Sequence, residues 1–185
     1  MSLKLVLISP SGTLEKDGKF NDRDIGALCL LIAQLSAAKV NVAIWSNRKW
    51  TVGGKTSLED YLSAKARAVV HYVGQQIGMP ARQRAGSVSP ILQKFDVKLE
   101  ETVLVGARNE DLQAGVNNKL LLLRPAWYEN DLGYGFELKS IEELGRFCLL
   151  FGTRTHPFYW QVNDVMRGLN VNALGPFSTM IQAFA

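Results

Sequence analysis

Short apolar runs that alternate with helix-like segments limit the fold of this chain more than any other feature. Residues 3–8 and residues 40–45 are short, mainly apolar runs that indicate buried strands, and a Ser-Pro-Ser-Gly turn follows the first. Between them, residues 24–38 carry apolar side chains at helical spacing, with Asn21, Asp22 and Asp24 available as N-terminal caps. A strand, a helix and a second strand in so short a segment predict a βαβ unit, which requires a parallel sheet.

The same alternation continues to about residue 150. The predicted elements are a long amphipathic helix over residues 57–78 that begins at a capping-box variant of Ser57 and Asp60, a short helix at 88–95, strands at 101–105 and 119–123, a helical turn at 111–116 and a helix at 140–150. We therefore predict a doubly wound α/β domain over residues 1–150. Residues 151–185 are rich in aromatic residues, Asn and Gly without a clear period, and form either a C-terminal extension or the start of a truncated second module.

Composition leaves several classes of partner open and disfavours others. A length of 185 residues with 47% hydrophobic content suits one globular domain, and a net charge of +4 permits an anionic partner without demanding one. Both cysteines lie in apolar runs, and two cysteines with two histidines form no zinc-binding pattern, so a metal would need oxygen ligands. No run is long enough to span a bilayer and no signal peptide is recognisable, which predicts a cytoplasmic protein without a membrane partner.

Polar segments follow three of the predicted strands, where a parallel sheet places its ligand site. They are Ser-Pro-Ser-Gly-Thr-Leu at 9–14, Ser-Asn at 46–47 and Gly-Ala-Arg-Asn-Glu-Asp at 106–111. In order and strand context they resemble the first, second and fourth motifs of the haloacid-dehalogenase (HAD) superfamily. The resemblance implies a Rossmann-like three-layer domain with a central, mainly parallel sheet.

The segment after the second motif is similar to one branch of that superfamily, which contains histidinol-phosphate phosphatase and the polynucleotide 3′-phosphatases. The residues that carry this similarity are Ser46-Asn47-Arg48, Gly53-Gly54-Lys55, Asp60-Tyr61, Lys65 and Gly78-Met79-Pro80. Members of the branch have little or no cap domain, and the short segment between the first two motifs leaves no room for a large one. Little or no cap is therefore expected here.

The chemistry that the family performs depends on carboxylates. In the family one Asp of the first motif attacks phosphorus, a second is the general acid and base, and carboxylates of the first and fourth motifs hold Mg²⁺. The matching positions here are Ser9, Ser11, Ala107 and Asp111, of which only the last is acidic. Because neutral oxygens do not supply the charge that Mg²⁺ needs, the resemblance implies a catalytically degenerate domain without a cofactor, with Mg²⁺ only if the domain is active.

Groups that remain at these motifs could bind a phosphate without hydrolysing it. The candidate contacts are Ser9, Ser11, Gly12, Thr13, Ser46, Asn47 and Arg84, with Arg82 and Lys94 as alternative cations. The competing interpretation is that Ser9 and Ser11 are turn residues and that Asp111 caps a helix. Arg108 is expected to form a surface ion pair with Glu110 or Asp111. Trp50 is expected to pack in the core, and the alternative is that it stacks a nucleobase beside Arg48 and Lys49.

Three functions fit these observations. The first is a non-catalytic binding or regulatory module for a phosphate-bearing ligand or a protein partner. The second is an active phosphohydrolase on a small phosphoester or a nucleic-acid 3′ end, with Ser9 or another group as the nucleophile. The third is a structural domain of a larger protein or assembly.

Overall fold

A six-stranded sheet forms the centre of the computed structural model, which describes residues 3–74, 88–128 and 135–153. Its strands are β1 (Leu5–Ile8), β4 (Asn41–Ser46), β7 (Val70–Gly74), β8 (Thr102–Val105), β9 (Leu121–Pro125) and β10 (Phe136–Leu138). They lie in the order β10-β9-β8-β1-β4-β7, and each neighbouring pair is parallel. Two hairpins accompany the sheet: β2 (Glu15–Lys16) with β3 (Lys19–Phe20), and β5 (Thr51–Val52) with β6 (Thr56–Ser57).

Helices cover both faces of this sheet. They are α1 (Asp22–Ala37), α2 (Leu58–Ala66), α3 (Ser89–Phe95), α4 (Asn109–Asn118) and α5 (Ile141–Thr153). Val6 and Ile8 of β1 belong to the core shared with α1, α2 and α5, whereas Leu5 and Leu7 belong to the core shared with α3 and α4. Successive side chains of a strand point to opposite faces, so a strand buried on both faces is apolar throughout. The predicted three-layer α/β fold is confirmed.

Two helix starts follow from local capping residues, as predicted. The Asn21 side chain accepts hydrogen bonds from the backbone N–H groups of Arg23 and Asp24. At the start of α2, Ser57 Oγ accepts from the N–H of Asp60 (3.2 Å) and donates to its carboxylate (2.7 Å). These bonds satisfy N–H groups that have no partner within the helix.

The predicted helix over residues 57–78 is wrong beyond Ala66. Helix α2 ends where Arg67 adopts a left-handed conformation (φ 52°), and residues 70–74 form strand β7 beside β4. Ser63 Oγ accepts from the N–H of Val70 (2.9 Å), which fixes the connection. A β-rich segment that reaches an open sheet edge gains backbone pairing there, and this gain outweighs its amphipathic helical pattern. Residues 75–78 lie outside the described ranges.

The sequence also failed to indicate β10 and both hairpins. The β5–β6 hairpin turns at Gly53 and Gly54, which have positive φ angles of 61° and 72°. Helix α5 runs three residues past the boundary predicted at 150, and the predicted C-terminal segment from residue 154 onwards lies outside the described residues. Within the described ranges, none of the helices combines the length and the apolar content that crossing a bilayer requires.

Candidate functional site

The three polar segments meet at one edge of the sheet. Strand β1 lies between β4 and β8, and Ile8 is in register with Ile44 on one side and Val105 on the other. Ser9, Ser46 and Gly106 therefore leave the same end of three adjacent strands. Neighbouring strands are about 4.8 Å apart, so this edge can present the three segments to one ligand.

A tight turn follows β1. The carbonyl of Pro10 accepts hydrogen bonds from the N–H groups of Thr13 (3.1 Å), Leu14 (2.8 Å) and Glu15 (3.0 Å). The N–H of Gly12 donates to the Glu15 carbonyl (2.9 Å), and Gly12 has a positive φ of 72°. The N–H groups of Gly12 and Thr13, predicted to face an anion, are thus donors within the turn in this conformation, and an anion site cannot rest on them.

Two side chains of the turn are buried. Ser9 is 1% exposed, and its N–H donates to the carbonyl of Val105 (2.9 Å), which extends the pairing of β1 with β8. Thr13 is also 1% exposed, and its hydroxyl has no hydrogen-bond partner in the part of the chain that the structure describes. A buried hydroxyl without a partner costs about 1–3 kcal/mol, so other contacts must hold the turn in place.

The segment after β9 supplies such contacts. Trp127 Nε1 donates to the carbonyl of Thr13 (2.9 Å), and the Tyr128 hydroxyl donates to the carboxylate of Asp24 at the start of α1 (2.7 Å). Burial, and then the bond to Asp24, raise the pKa of Tyr128 above its ordinary value, so this phenol stays a donor. Two aromatic side chains thereby tie the turn and the first helix to β9.

The hydroxyl of Ser46 accepts hydrogen bonds from residues of the segment that follows β4. It accepts from Trp50 Nε1 (2.9 Å) and from the N–H of Arg48 (3.4 Å), while the Tyr72 hydroxyl donates to the Ser46 carbonyl (3.1 Å). Trp50 is 9% exposed, and the Arg48 guanidinium lies 3.7 Å from its ring centroid. Trp50 therefore packs, and the nucleobase-stacking hypothesis for it is wrong. The neighbouring Asn47 is exposed at the end of β4.

The turn between β8 and α4 is built around Asp111. This side chain is 2% exposed, and its Oδ2 accepts from the N–H groups of Ala107 (3.2 Å) and Arg108 (3.0 Å). A Cβ atom at Gly106 would lie only 2.5 Å from Asp111 Cβ, so the glycine is required for this approach. Asp111 reaches back to the start of its helix, which agrees with its interpretation as a capping residue.

The β8–α4 turn also contacts the turn after β1. Arg108 Nε donates to Ser11 Oγ (3.3 Å), and a Cβ atom at Gly12 would lie 3.1 Å from Ala107 Cβ. The surface ion pair expected for Arg108 is not among the ion pairs of the described residues. Its guanidinium instead joins two segments that are far apart in sequence. Its place directly after a predicted strand was the signal that could have indicated this role.

The donors at this edge do not fit Mg²⁺. Within residues 3–74, 88–128 and 135–153, no three His, Cys, Asp or Glu side chains form a group that could hold a metal. The carboxylates attached to the two turns belong to Asp111 and Glu15, and each accepts from backbone N–H groups, the latter from Gly18. Mg²⁺ requires oxygen ligands in octahedral geometry, with one or two carboxylates among them. Here Ser9, Ser11 and Ala107 bring no charge.

The predicted cations lie elsewhere or outside the described residues. Arg82 and Arg84 fall within residues 75–87, which the structure does not describe. Lys94 Nζ is 5.6 Å from the ring of Phe95, which contacts His71 edge-on. His71 lies on the edge strand β7 in register with Ala43, three residues before the end of β4, so Lys94 lies beside the edge of the sheet below the level where β4 ends. Arg108 is the cation that the structure brings to the turn after β1.

Comparison with known proteins yields structural relatives only. No model of a protein family matches the chain, and no curated protein does. A cobalt-bound deoxy-D-mannose-octulosonate 8-phosphate phosphatase from Haemophilus influenzae matches with a TM-score of 0.54 and 16% identity, covering 86% of this chain and 97% of the other. The 3-deoxy-D-manno-octulosonate 8-phosphate phosphatase of Moraxella catarrhalis, solved with magnesium, phosphate and the sugar acid, matches with 0.54 and 14%, covering 86% and 93%.

A third similar structure, from Legionella pneumophila, is assigned to subfamily III A of the HAD hydrolases. Its TM-score is 0.57 at 15% identity, covering 88% of this chain and 90% of the other. Identities this low establish the fold alone, and the narrower resemblance to the histidinol-phosphate phosphatase branch stays a prediction. The parallel sheet, the three motif segments at one edge and these relatives agree: the chain has the haloacid-dehalogenase-like α/β fold.

Proposed function

We propose that this chain is a non-catalytic domain of haloacid-dehalogenase-like fold that binds a phosphate-bearing ligand without hydrolysing it. The observation that carries the proposal is the position of Asp111. It is the one acidic residue at the positions that the resemblance assigns to catalysis, and its Oδ2 accepts two backbone N–H groups of its own turn. The other positions, Ser9, Ser11 and Ala107, have no carboxylate.

The Ser11 hydroxyl does not replace the missing nucleophile. A serine becomes nucleophilic when an adjacent base takes its proton, most often a histidine. Of the described residues, the one histidine is His71, and it lies against Phe95 at the level of Ala43. Ser11 Oγ accepts a hydrogen bond from the cationic Arg108, which does not remove its proton. Ser11 therefore has a cationic partner where nucleophilic attack needs a base.

The alternative is an active phosphohydrolase, and the fold likeness to two octulosonate 8-phosphate phosphatases favours a small phosphoester as its substrate. This alternative would need a metal site that the described residues do not supply at the turn after β1. A regulatory role, a protein partner and a place in a larger assembly stay predictions, as does a cytoplasmic location.

A phosphatase assay tests the proposal. The chain is incubated with p-nitrophenyl phosphate and with 3-deoxy-D-manno-octulosonate 8-phosphate, in Mg²⁺ and in EDTA, and phosphate release is measured. We expect no release above that of the heat-denatured protein in either condition. Turnover that requires Mg²⁺ and disappears in EDTA would overturn the proposal.

Variants locate the source of any turnover. Ser9→Ala tests the serine alternative directly, because activity that survives the substitution excludes this hydroxyl as the nucleophile. The triple variant Ser9→Asp, Ser11→Asp, Ala107→Asp returns carboxylates to the edge of the sheet. Its phosphate release is compared with that of the natural sequence. Urea unfolding of each variant shows that the fold is intact before activity is compared.

A further inference from the structure

The Arg108 side chain is a cation held beside a hydroxyl. Its Nε donates to Ser11 Oγ at 3.3 Å, and the side chain is otherwise exposed at the carboxyl end of β8. The ion pairs found among residues 3–74, 88–128 and 135–153 do not involve it. A guanidinium carries five N–H donors in a planar fork, so one bond to Ser11 leaves the terminal nitrogens able to bind two oxygens of one anion.

Ser11 can add a donor of its own. A hydroxyl that accepts a hydrogen bond still has its hydrogen to donate, so the bond from Arg108 orients Ser11 Oγ toward a second acceptor. Gly12 permits the close approach of the two groups, since a Cβ atom there would lie 3.3 Å from Arg108 Nε and 3.1 Å from Ala107 Cβ. The guanidinium and the hydroxyl thus form a pair of donors whose close approach requires glycine at position 12.

The described carboxylates around this pair do not form an ion pair with Arg108. Arg48 and Lys49 follow Ser46 at the end of β4, the strand on the other side of β1. The acidic side chains nearby are Glu110, which is exposed on α4, and the buried Asp111 and Glu15, which accept backbone N–H groups. Among the described residues no carboxylate lies within ion-pair distance of the Arg108 guanidinium, so its charge can serve an anion.

We propose that Arg108 and Ser11 bind a phosphate monoester dianion directly, without a divalent cation. The guanidinium donates to two phosphate oxygens and the Ser11 hydroxyl to one of them, so that Arg108 supplies the positive charge at the site. This inference rests on the proposed function, since it names the ligand class and the residues of the same site. Charge-assisted, bidentate bonds of this kind are the strong hydrogen bonds of proteins.

Isothermal titration calorimetry with phenyl phosphate, in EDTA throughout, tests the inference on the full chain. We expect saturable binding by the natural sequence and a loss of affinity of about 10- to 100-fold in Arg108→Gln, because hydrogen bonds to charged groups contribute about 1.5–3 kcal/mol. Arg108→Lys should bind with intermediate affinity, since it keeps the charge and loses the fork. Arg146→Gln, an exposed arginine on α5, is the matched control and should bind normally.

Folding does not confound the comparison, because Asp111 binds the backbone N–H of Arg108 and not its side chain. Amide chemical shifts of Ser11 and Gly12 should move on titration in the natural sequence and stay unchanged in Arg108→Gln. The inference is overturned by binding that survives Arg108→Gln, by binding that appears only with Mg²⁺, or by no binding at all. The last of these, with no turnover in the phosphatase assay, refutes this inference alone, whereas Mg²⁺-dependent turnover refutes the proposed function.

Discussion

Replacing Asp111 by alanine should destabilise the domain far more than an ordinary helix substitution. The change removes the oxygen that accepts from the N–H groups of Ala107 and Arg108, at 3.2 and 3.0 Å, and empties a position that is 2% exposed. A buried donor left without its partner costs about 1–3 kcal/mol, and water reaches the second donor because Arg108 is exposed. The total is about 1–3 kcal/mol, which lowers the Tm of a domain of this size by about 2–12 °C.

Equilibrium unfolding in urea, followed by circular dichroism, measures this effect. Glu110→Ala is the matched control, because Glu110 is exposed in the same first turn of α4 and should change stability by no more than about 0.5 kcal/mol. Asp111→Asn keeps an acceptor oxygen and loses its charge, so its cost should lie between the two. The slope of the transition should be the same for all variants if the unfolded state is unchanged.

Two results would refute this reasoning. Equal stability of Asp111→Ala and Glu110→Ala would mean that the carboxylate does not hold the turn between β8 and α4. A rise in the Tm of the natural sequence with Mg²⁺, absent in Asp111→Ala, would mean that the carboxylate binds a metal in the folded state. The second result would also weaken the proposal that the domain is non-catalytic.

Two further predictions concern packing and pH. Gly106→Ala should lower the free energy of unfolding by about 1–3 kcal/mol, because the new Cβ would lie 2.5 Å from Asp111 Cβ. Gly26→Ala on α1, where a Cβ meets no atom within 4 Å, should raise the free energy of unfolding by about 0.5–1 kcal/mol. Similar effects of the two substitutions would contradict the geometry. Burial, and then Lys94, lower the pKa of His71 below its ordinary 6.5, so the unfolded chain binds a proton more readily and stability should fall as pH drops through 6.5. His71→Phe should therefore lose less stability than the natural sequence over that range. Titration of His71 followed by NMR should give a pKa below 6.5, and a normal or raised pKa would contradict this explanation.

The sequence by itself determined much of the sheet and the starts of two helices. Strands β1, β4 and β8 are short, mainly apolar runs, and burial on both faces is the environment that suits them. Asn21 and Ser57 cap the helices that follow them through bonds to residues two or three positions away. The position of the motif segments after strands was also readable, because parallel strands end at one edge. These features depend on neighbours in the chain, which a sequence displays directly.

Only the tertiary structure decided the partners of the side chains at that edge. The bond from Arg108 to Ser11 joins residues 97 positions apart, and the bond from Trp127 to the Thr13 carbonyl joins residues 114 positions apart. Likewise, residues 70–74 became a strand because β4 offered them an unpaired edge, although their pattern continued that of the preceding helix. Such contacts exist only after the sheet has assembled, since the order of its strands brings distant segments together.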